Sequence, residues 1–303
     1  MIEIKHIKHH EIDLKKWDSV VLASQYPFVF AQSFYLNATC PNWEALVIGD
    51  YQSIFPLTVK TKWGFTYLPQ PPFTSQLGVY GEINLQIEKA FYDYITQYFK
   101  LIDLELNASH QLKQASIKPK VTYCINYKNN YQFNQNTKRN ISKARQAGFQ
   151  VLQVDDKAIL HLTQQYINPF LISEVGLSPH TVSVLDRLIL SAIAHQYLVC
   201  FKVEDAQGEL KALACFICNG KHAFYLKGNN FDKAENTGSM HLLLEHAIHY
   251  FSDKSILFDF GGGSKAGIAN FYSGFGAEVM TYGFLQINRL PWILKLIKKL
   301  NQR

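Results

Sequence analysis

No apolar run in this chain approaches the ~20 residues of a membrane-spanning helix. The first residues, Met1-Ile-Glu-Ile-Lys-His, contain no apolar core of a secretory leader and no cleavage site, so a leader is not expected. Cysteine is scarce. The five present (Cys40, Cys124, Cys200, Cys215 and Cys218) are scattered and odd in number, which points to reduced thiols in a cytoplasmic protein. Acidic side chains are missing altogether from Leu106 to Val154, where eight basic ones stand: Lys113, Lys118, Lys120, Lys128, Lys138, Arg139, Lys143 and Arg145. Four more, Lys295, Lys298, Lys299 and Arg303, fall in the last nine residues. The net charge is only +6, so the rest of the chain is acidic on balance. This distribution excludes a general polycation and leaves room for a local anion site.

What is present is a chain of 303 residues, 48% apolar, enough for one large or two medium domains with full cores. The pattern predicts helices over Glu11–Ser24, Leu85–Lys100, Lys138–Ala147, Lys157–Phe170 and Val182–Gln196. A further helix starts near Ser239 and buries Met240, Leu243, Leu244, Ala247, Ile248 and Phe251. Strands are expected at 43–48, 53–59, 76–80, 101–106, 121–127, 151–154 and 222–227, with a hairpin from Tyr197 to Asn219. Two more are expected at Ile256–Phe260 and Val279–Asn288, and a last helix over Pro291–Leu300. The polar stretch Lys128–Thr137 suggests a boundary near 130, dividing the chain into 1–130 and 131–303. Both parts run strands, helix, strand, strand. Ile95, Tyr98-Phe99 and Leu104 echo Ile248, Tyr250-Phe251 and Phe258, as expected of two copies of one α/β unit.

Several motifs invite chemistry. Cys215 and Cys218 are three apart on an expected strand, so they face opposite sides, and no second such pair exists to complete a zinc site. His241, Glu245 and His249 form an i, i+4, i+8 stripe that reads more readily as a polar helix face than as a metal site. Gly261-Gly-Gly-Ser-Lys265 has the wrong order for a Walker phosphate loop, and Ala266 breaks the dinucleotide pattern. A tight strand-to-helix turn is the plainer reading. The helix start at Ser239, with Thr237 or Ser239 as N-cap, is a place where backbone N–H groups meet an anion. Arg139 and Lys143, four apart, share one line of a basic helix, and Lys138 and Arg145, seven apart, share the next. The amphipathic Trp292–Leu300 either caps the core or lies on an anionic membrane surface.

Four pieces together resemble the GNAT acyltransferase fold, in its FemABX-like branch of tandem GNAT-like domains. They are Arg139–Gly148, Tyr225-Leu-Lys-Gly228, the helix Ser239–Phe251, and Phe258-Asp-Phe-Gly-Gly262 with Gly267–Gly276. The resemblance implies an α/β (α+β) protein of two such domains, each a mixed, mostly antiparallel sheet flanked by helices. It implies an acyltransferase using acyl-CoA as donor substrate, without a metal. Leu226, Lys227, Gly228, Thr237, Gly238 and Ser239 would hold the donor. Arg139 and Lys143 would hold phosphates of the donor or of a nucleotide-linked acceptor, and Gly261 and Gly262 would bind substrate. Tyr272 would act as the acid or pack as an aromatic on the strand below, and Asp259 would orient or deprotonate the amine or cap the glycine turn. The acceptor would be an amine, such as one on a cell-envelope or nucleotide-linked sugar precursor. The alternatives are aminoacyl transfer from aminoacyl-tRNA to a peptidoglycan precursor, and a GNAT-like binding module without catalysis. Two departures stand out. Tyr272 occupies a place where the branch often shows lysine, and Glu235-Asn-Thr-Gly238-Ser-Met240 departs at its first and last positions from the acetyl-CoA loop.

Overall fold

The computed structural model describes residues 2–62, 64–231 and 237–291, and it divides into two compact units. Unit 1 comprises residues up to Tyr26, Phe30–Lys120 and the chain from Tyr282 onward; unit 2 comprises Pro27–Val29 and Val121–Thr281. The expected boundary near 130 therefore lies inside unit 2, and the chain returns to unit 1 at its end. The reason is strand pairing. Residues 124–126 are bonded to the strand at 257–259, and residues 284–288 to the strand at 101–105. The expected helix at Pro291–Leu300 lies outside the described residues.

In unit 1, β1 (Lys5–Ile7), β2 (Glu44–Ile48), β3 (Ser53–Leu57) and β6 (Tyr80–Gly81) form an antiparallel sheet in that order. A hairpin of β4 (Lys60–Lys62) and β5 (Phe65–Pro69) leads to β7 (Leu101–Glu105), which pairs parallel with β5. Helix α1 (Leu14–Ala23) begins at Asp13, whose carboxylate accepts the N–H groups of Lys15 and Lys16. Helix α2 (Ser33–Thr39), which periodicity did not show, is buried on nearly every side and so carries no amphipathic signal. The expected strand at 76–80 shrinks to Tyr80–Gly81, because Gln76 and Gly78 take positive φ and break the extended run. Helix α3 (Leu85–Tyr98) buries Ile87, Phe91 and Ile95 against Phe55, Ile102 and Leu104.

Glu88, also on α3, is 5% exposed and accepts the N–H groups of Gln111 and Leu112, with His110 Nδ1 at 3.6 Å. A buried carboxylate thus holds the loop after β7. Glu88→Gln turns one acceptor oxygen into a donor facing those N–H groups. It is expected to cost about 1–3 kcal/mol in urea unfolding and to speed hydrogen exchange at Gln111 and Leu112.

Unit 2 is built on the end of β8 (Ile117–Asn126), which is shared with unit 1. Then come α4 (Gln135–Gln146), β9 (Gln150–Gln153), α5 (Asp156–Leu162), α6 (Asn168–Ser173), α7 (Pro179–Ala194), β10 (Leu198–Glu204) and β11 (Leu210–Cys218). They are followed by β12 (His222–Asn230), α8 (Ser239–Ser252), β13 (Leu257–Asp259), α9 (Ala266–Ser273) and the start of β14 (Glu278–Asn288). The sheet order is β8-β13-β12-β11-β10-β9, antiparallel except for the parallel pair β12–β13. Helix α4 starts three residues before the expected Lys138, because Asn134 caps it through the Thr137 N–H. The expected helix 157–170 is interrupted by a single π turn at Thr163–Ile167, whose Tyr166 packs on Phe231 at 5.4 Å. The two units share an expected feature: α3 leads into β7 and α8 into β13, each pairing parallel with an earlier strand. No helix among the described residues is long and apolar enough to cross a membrane.

Candidate functional site

The site is set by two irregularities of β12. Its antiparallel register with β11 shifts at Cys215/Phe216: Cys215 faces Lys227 and Phe216 faces Tyr225. Leu226 is the extra residue of a β-bulge and stands outside the ladder. On the other side, β12 pairs with β13 only from His222 to Phe224, opposite Leu257 to Asp259. There β13 ends, while β12 runs on to Asn230. From Tyr225 onward β12 has left its ladder with β13, and the bulge stands beside a splay in the sheet.

The glycine turn shapes that splay. Asp259 is 1% exposed. Its Oδ1 accepts from the Thr122 hydroxyl at 2.7 Å and from the Gly261 N–H at 2.8 Å, and its Oδ2 lies 3.4 Å from His222 Nε2. The Val29 N–H donates to His222 Nδ1, which leaves the ring proton on Nε2, aimed at the carboxylate. The Gly262 N–H donates to Thr122 Oγ1 at 3.1 Å. Of the two roles expected for Asp259, the structure displays the cap on the glycine turn. The N–H groups of Gly261 and Gly262 are bonded to Asp259 and Thr122 within the turn. Gly261 has φ +71°, and a Cβ there would sit 2.6 Å from the Phe224 ring. Thr122 and His222 carried no sequence signal, since both come to Asp259 from distant segments.

Tyr272, on α9, stacks on Phe260 at 4.6 Å and is 9% exposed. Burial, with the Asp259 carboxylate adding, pushes its phenol up to about 12, so it stays protonated at neutral pH. Tyr225, at the mouth of the splay, is also raised by burial and then by Tyr272. Its hydroxyl lies 3.9 Å from Met240 Sδ, and a Cβ on Gly228 would fall 2.4 Å from that same hydroxyl. The Tyr225 ring stacks on Phe216 at 5.3 Å, in register just before the bulge. Burial holds the Lys227 ammonium below its ordinary value.

Helix α8 begins beyond the end of β12. Its N-cap is Gly238 at φ +87°, with no side-chain cap, rather than Thr237 or Ser239. The Ser239 hydroxyl instead donates to Asn230 at 2.8 Å. With glycine at the N-cap, the helix start carries no side-chain cap from that residue.

The stripe His241, Glu245, His249 does not act as one group. His241 packs on Phe271 at 4.9 Å, Glu245 pairs with Arg145 at 2.7 Å, and His249 stacks on Phe133 at 6.0 Å. Of the three, Glu245 is buried where α4 packs on α8, His241 is half-buried and His249 is exposed. Among the described residues, no three His, Cys, Asp or Glu side chains converge as a metal site would need. Cys215 pairs across the strands with Cys200, Sγ to Sγ 3.3 Å, and all five cysteines are free thiols. Arg139 and Lys143 lie on the exposed side of α4, where Arg139 bonds to Asn136.

No protein-family model matches the sequence, and no curated protein matches it. Solved structures match the fold. FemX has a TM-score of 0.68 at 12% identity, covering 100% of both chains. L-PGS from Bacillus licheniformis has a TM-score of 0.54 at 9% identity, over 86% of this chain and 90% of that one. A tandem GNAT protein from the clavulanic acid biosynthesis pathway has a TM-score of 0.51 at 9% identity, over 95% of this chain and 99% of that one. The fold is therefore that of the tandem GNAT-like, FemABX-like proteins.

Proposed function

We propose that this chain, with its tandem GNAT-like fold, is an acyltransferase that moves an acyl group from an acyl-CoA-type thioester to an amine in unit 2. One observation carries the reading: at a single point of β12 the Leu226 bulge meets the loss of the β13 partner. There, near Leu226 to Gly228, the backbone would supply an N–H donor for the oxyanion of a carbonyl under attack. Thr237, Gly238 and Ser239 would present the start of α8, with glycine at its N-cap, to the donor's phosphates.

The amine nitrogen attacks the thioester carbonyl, forming the C–N bond and placing negative charge on oxygen. The C–S bond then breaks. The departing sulfur takes the proton of the Tyr272 hydroxyl, and the amine's own proton passes to solvent, from which Tyr272 is restored. A phenol raised to about 12 keeps that proton available across the neutral range. In this scheme Asp259 is a positioning residue that holds the turn below Tyr272, and Tyr225 lines the entrance. Lys227, with its ammonium held low, would assist the donor. Arg139 and Lys143 would meet phosphates of an acceptor such as a nucleotide-linked or cell-envelope precursor.

The test is release of free thiol on incubation with acetyl-CoA and a panel of amines. Tyr272→Phe is expected to lower kcat about 10²-fold with KM little changed. Unchanged turnover in that variant removes the acid role. Turnover only with aminoacyl-tRNA would assign aminoacyl transfer instead, and absence of any donor binding would assign a non-catalytic module.

A further inference from the structure

A groove of about 470 Å³ opens between α4 and α8, away from the β12 splay. Its three walls differ in kind. Helix α4 contributes Lys138 and Arg145, two turns apart, with Ile141 between them. Helix α8 contributes Glu245 and His249. The segment before α4 contributes Tyr131 and Phe133. The aromatic wall is fixed. Phe133 stacks on His249 at an interplanar angle of 25° and packs edge-on against Phe275, and Tyr131 packs on Phe133. Arg145 is committed to Glu245 at 2.7 Å, which largely neutralises both. The Lys138 ammonium has no ion-pair or hydrogen-bond partner among the described residues. The volume falls in the range of small-molecule sites, which pair an apolar or aromatic body with a few polar groups.

We propose that this groove binds a small organic monoanion carried on a flat ring, an aromatic carboxylate in its simplest form. The ring lies along Tyr131 and Phe133, and the carboxylate meets the Lys138 ammonium. The Arg145–Glu245 pair closes the far end, where a second negative charge would face the Glu245 carboxylate. The inference stands apart from the acyl-transfer reading, because it uses no residue of the splay.

The experiment is titration of the full chain, by calorimetry or ligand-observed NMR, with benzoate, benzamide and acetate. Benzoate is expected to bind, with benzamide (ring without charge) and acetate (charge without ring) each weaker by about three- to tenfold or more. Lys138→Ala should reduce benzoate to the level of benzamide. Lys157→Ala, an equal loss of charge on exposed α5, should leave binding unchanged. Equal binding of benzoate and benzamide overturns the proposal, as does benzoate binding that Lys138→Ala leaves intact. No binding of benzoate up to the solubility of the protein–ligand mixture also overturns it. A thermal melt of each variant separates lost binding from lost folding.

Discussion

Asp259→Ala is expected to lower the unfolding free energy by about 3–5 kcal/mol, read from the urea midpoint at constant m. The carboxylate is 1% exposed, so water cannot replace it. Its removal takes an acceptor from the Thr122 hydroxyl and the Gly261 N–H and a partner from His222 Nε2. A buried donor left unpaired, such as the Thr122 hydroxyl, costs about 1–3 kcal/mol, whereas water reaches the exposed Gly261, and the loss of a buried charged partner adds to this. Asp259→Asn keeps the shape and one acceptor oxygen, so about half the loss is expected. A loss below about 1 kcal/mol in the alanine variant would show that the network does not hold the turn. The asparagine variant also separates two roles. If Asp259 only positions the turn, folded Asp259→Asn keeps most of its turnover. A fall of about 10²-fold or more in folded protein would make it a base.

Gly238→Ala is expected to cost about 2–4 kcal/mol and to weaken donor binding at the start of α8. Gly238 has φ +87°, where an L side chain is strained. The added Cβ would also sit 2.1 Å from the Asn140 carbonyl oxygen and 2.8 Å from its carbon. Those atoms are backbone of α4, so relief requires the two helices to move apart. Gly267→Ala is the matched control. It lies in α9 with nothing within 4 Å of a new Cβ, so it is expected to be neutral or slightly stabilising. Equal effects at the two positions would mean that Gly238 is not a contact point between α4 and α8.

The elements that the sequence showed clearly are those whose signal is local. The apolar positions of α8 (Met240, Leu243, Leu244, Ala247, Ile248 and Phe251) are all buried, because a helix spaces them onto one face whatever it packs against. The hairpin of β10 and β11 was legible from its turn at Asp205–Gly208, and the two-unit plan from the repeated order of elements. Helix α2 was missed because it is buried nearly all round, and the π turn because one inserted residue leaves no periodic trace. In α8's polar stripe, Glu245 alone departs from a solvated face, because it pairs with Arg145 of α4, a hundred residues earlier in the chain.

The same division runs through the site. Residue type and spacing picked out Asp259, the glycines after it and Tyr272, since glycines after a strand signal a sharp turn whatever surrounds them. Composition also set a basic helix apart from an acidic body. Which atoms meet was decided only in three dimensions. A one-residue slip between β11 and β12 sets Leu226 outside the ladder, and His222 and Thr122 converge on Asp259 from 37 and 137 residues away. Of the four cations singled out on α4, the fold turns Lys138 and Arg145 into a groove and leaves Arg139 outside it. Local sequence sets which conformations a segment prefers. Register, and the packing of distant segments, set which of its side chains and N–H groups are left for chemistry.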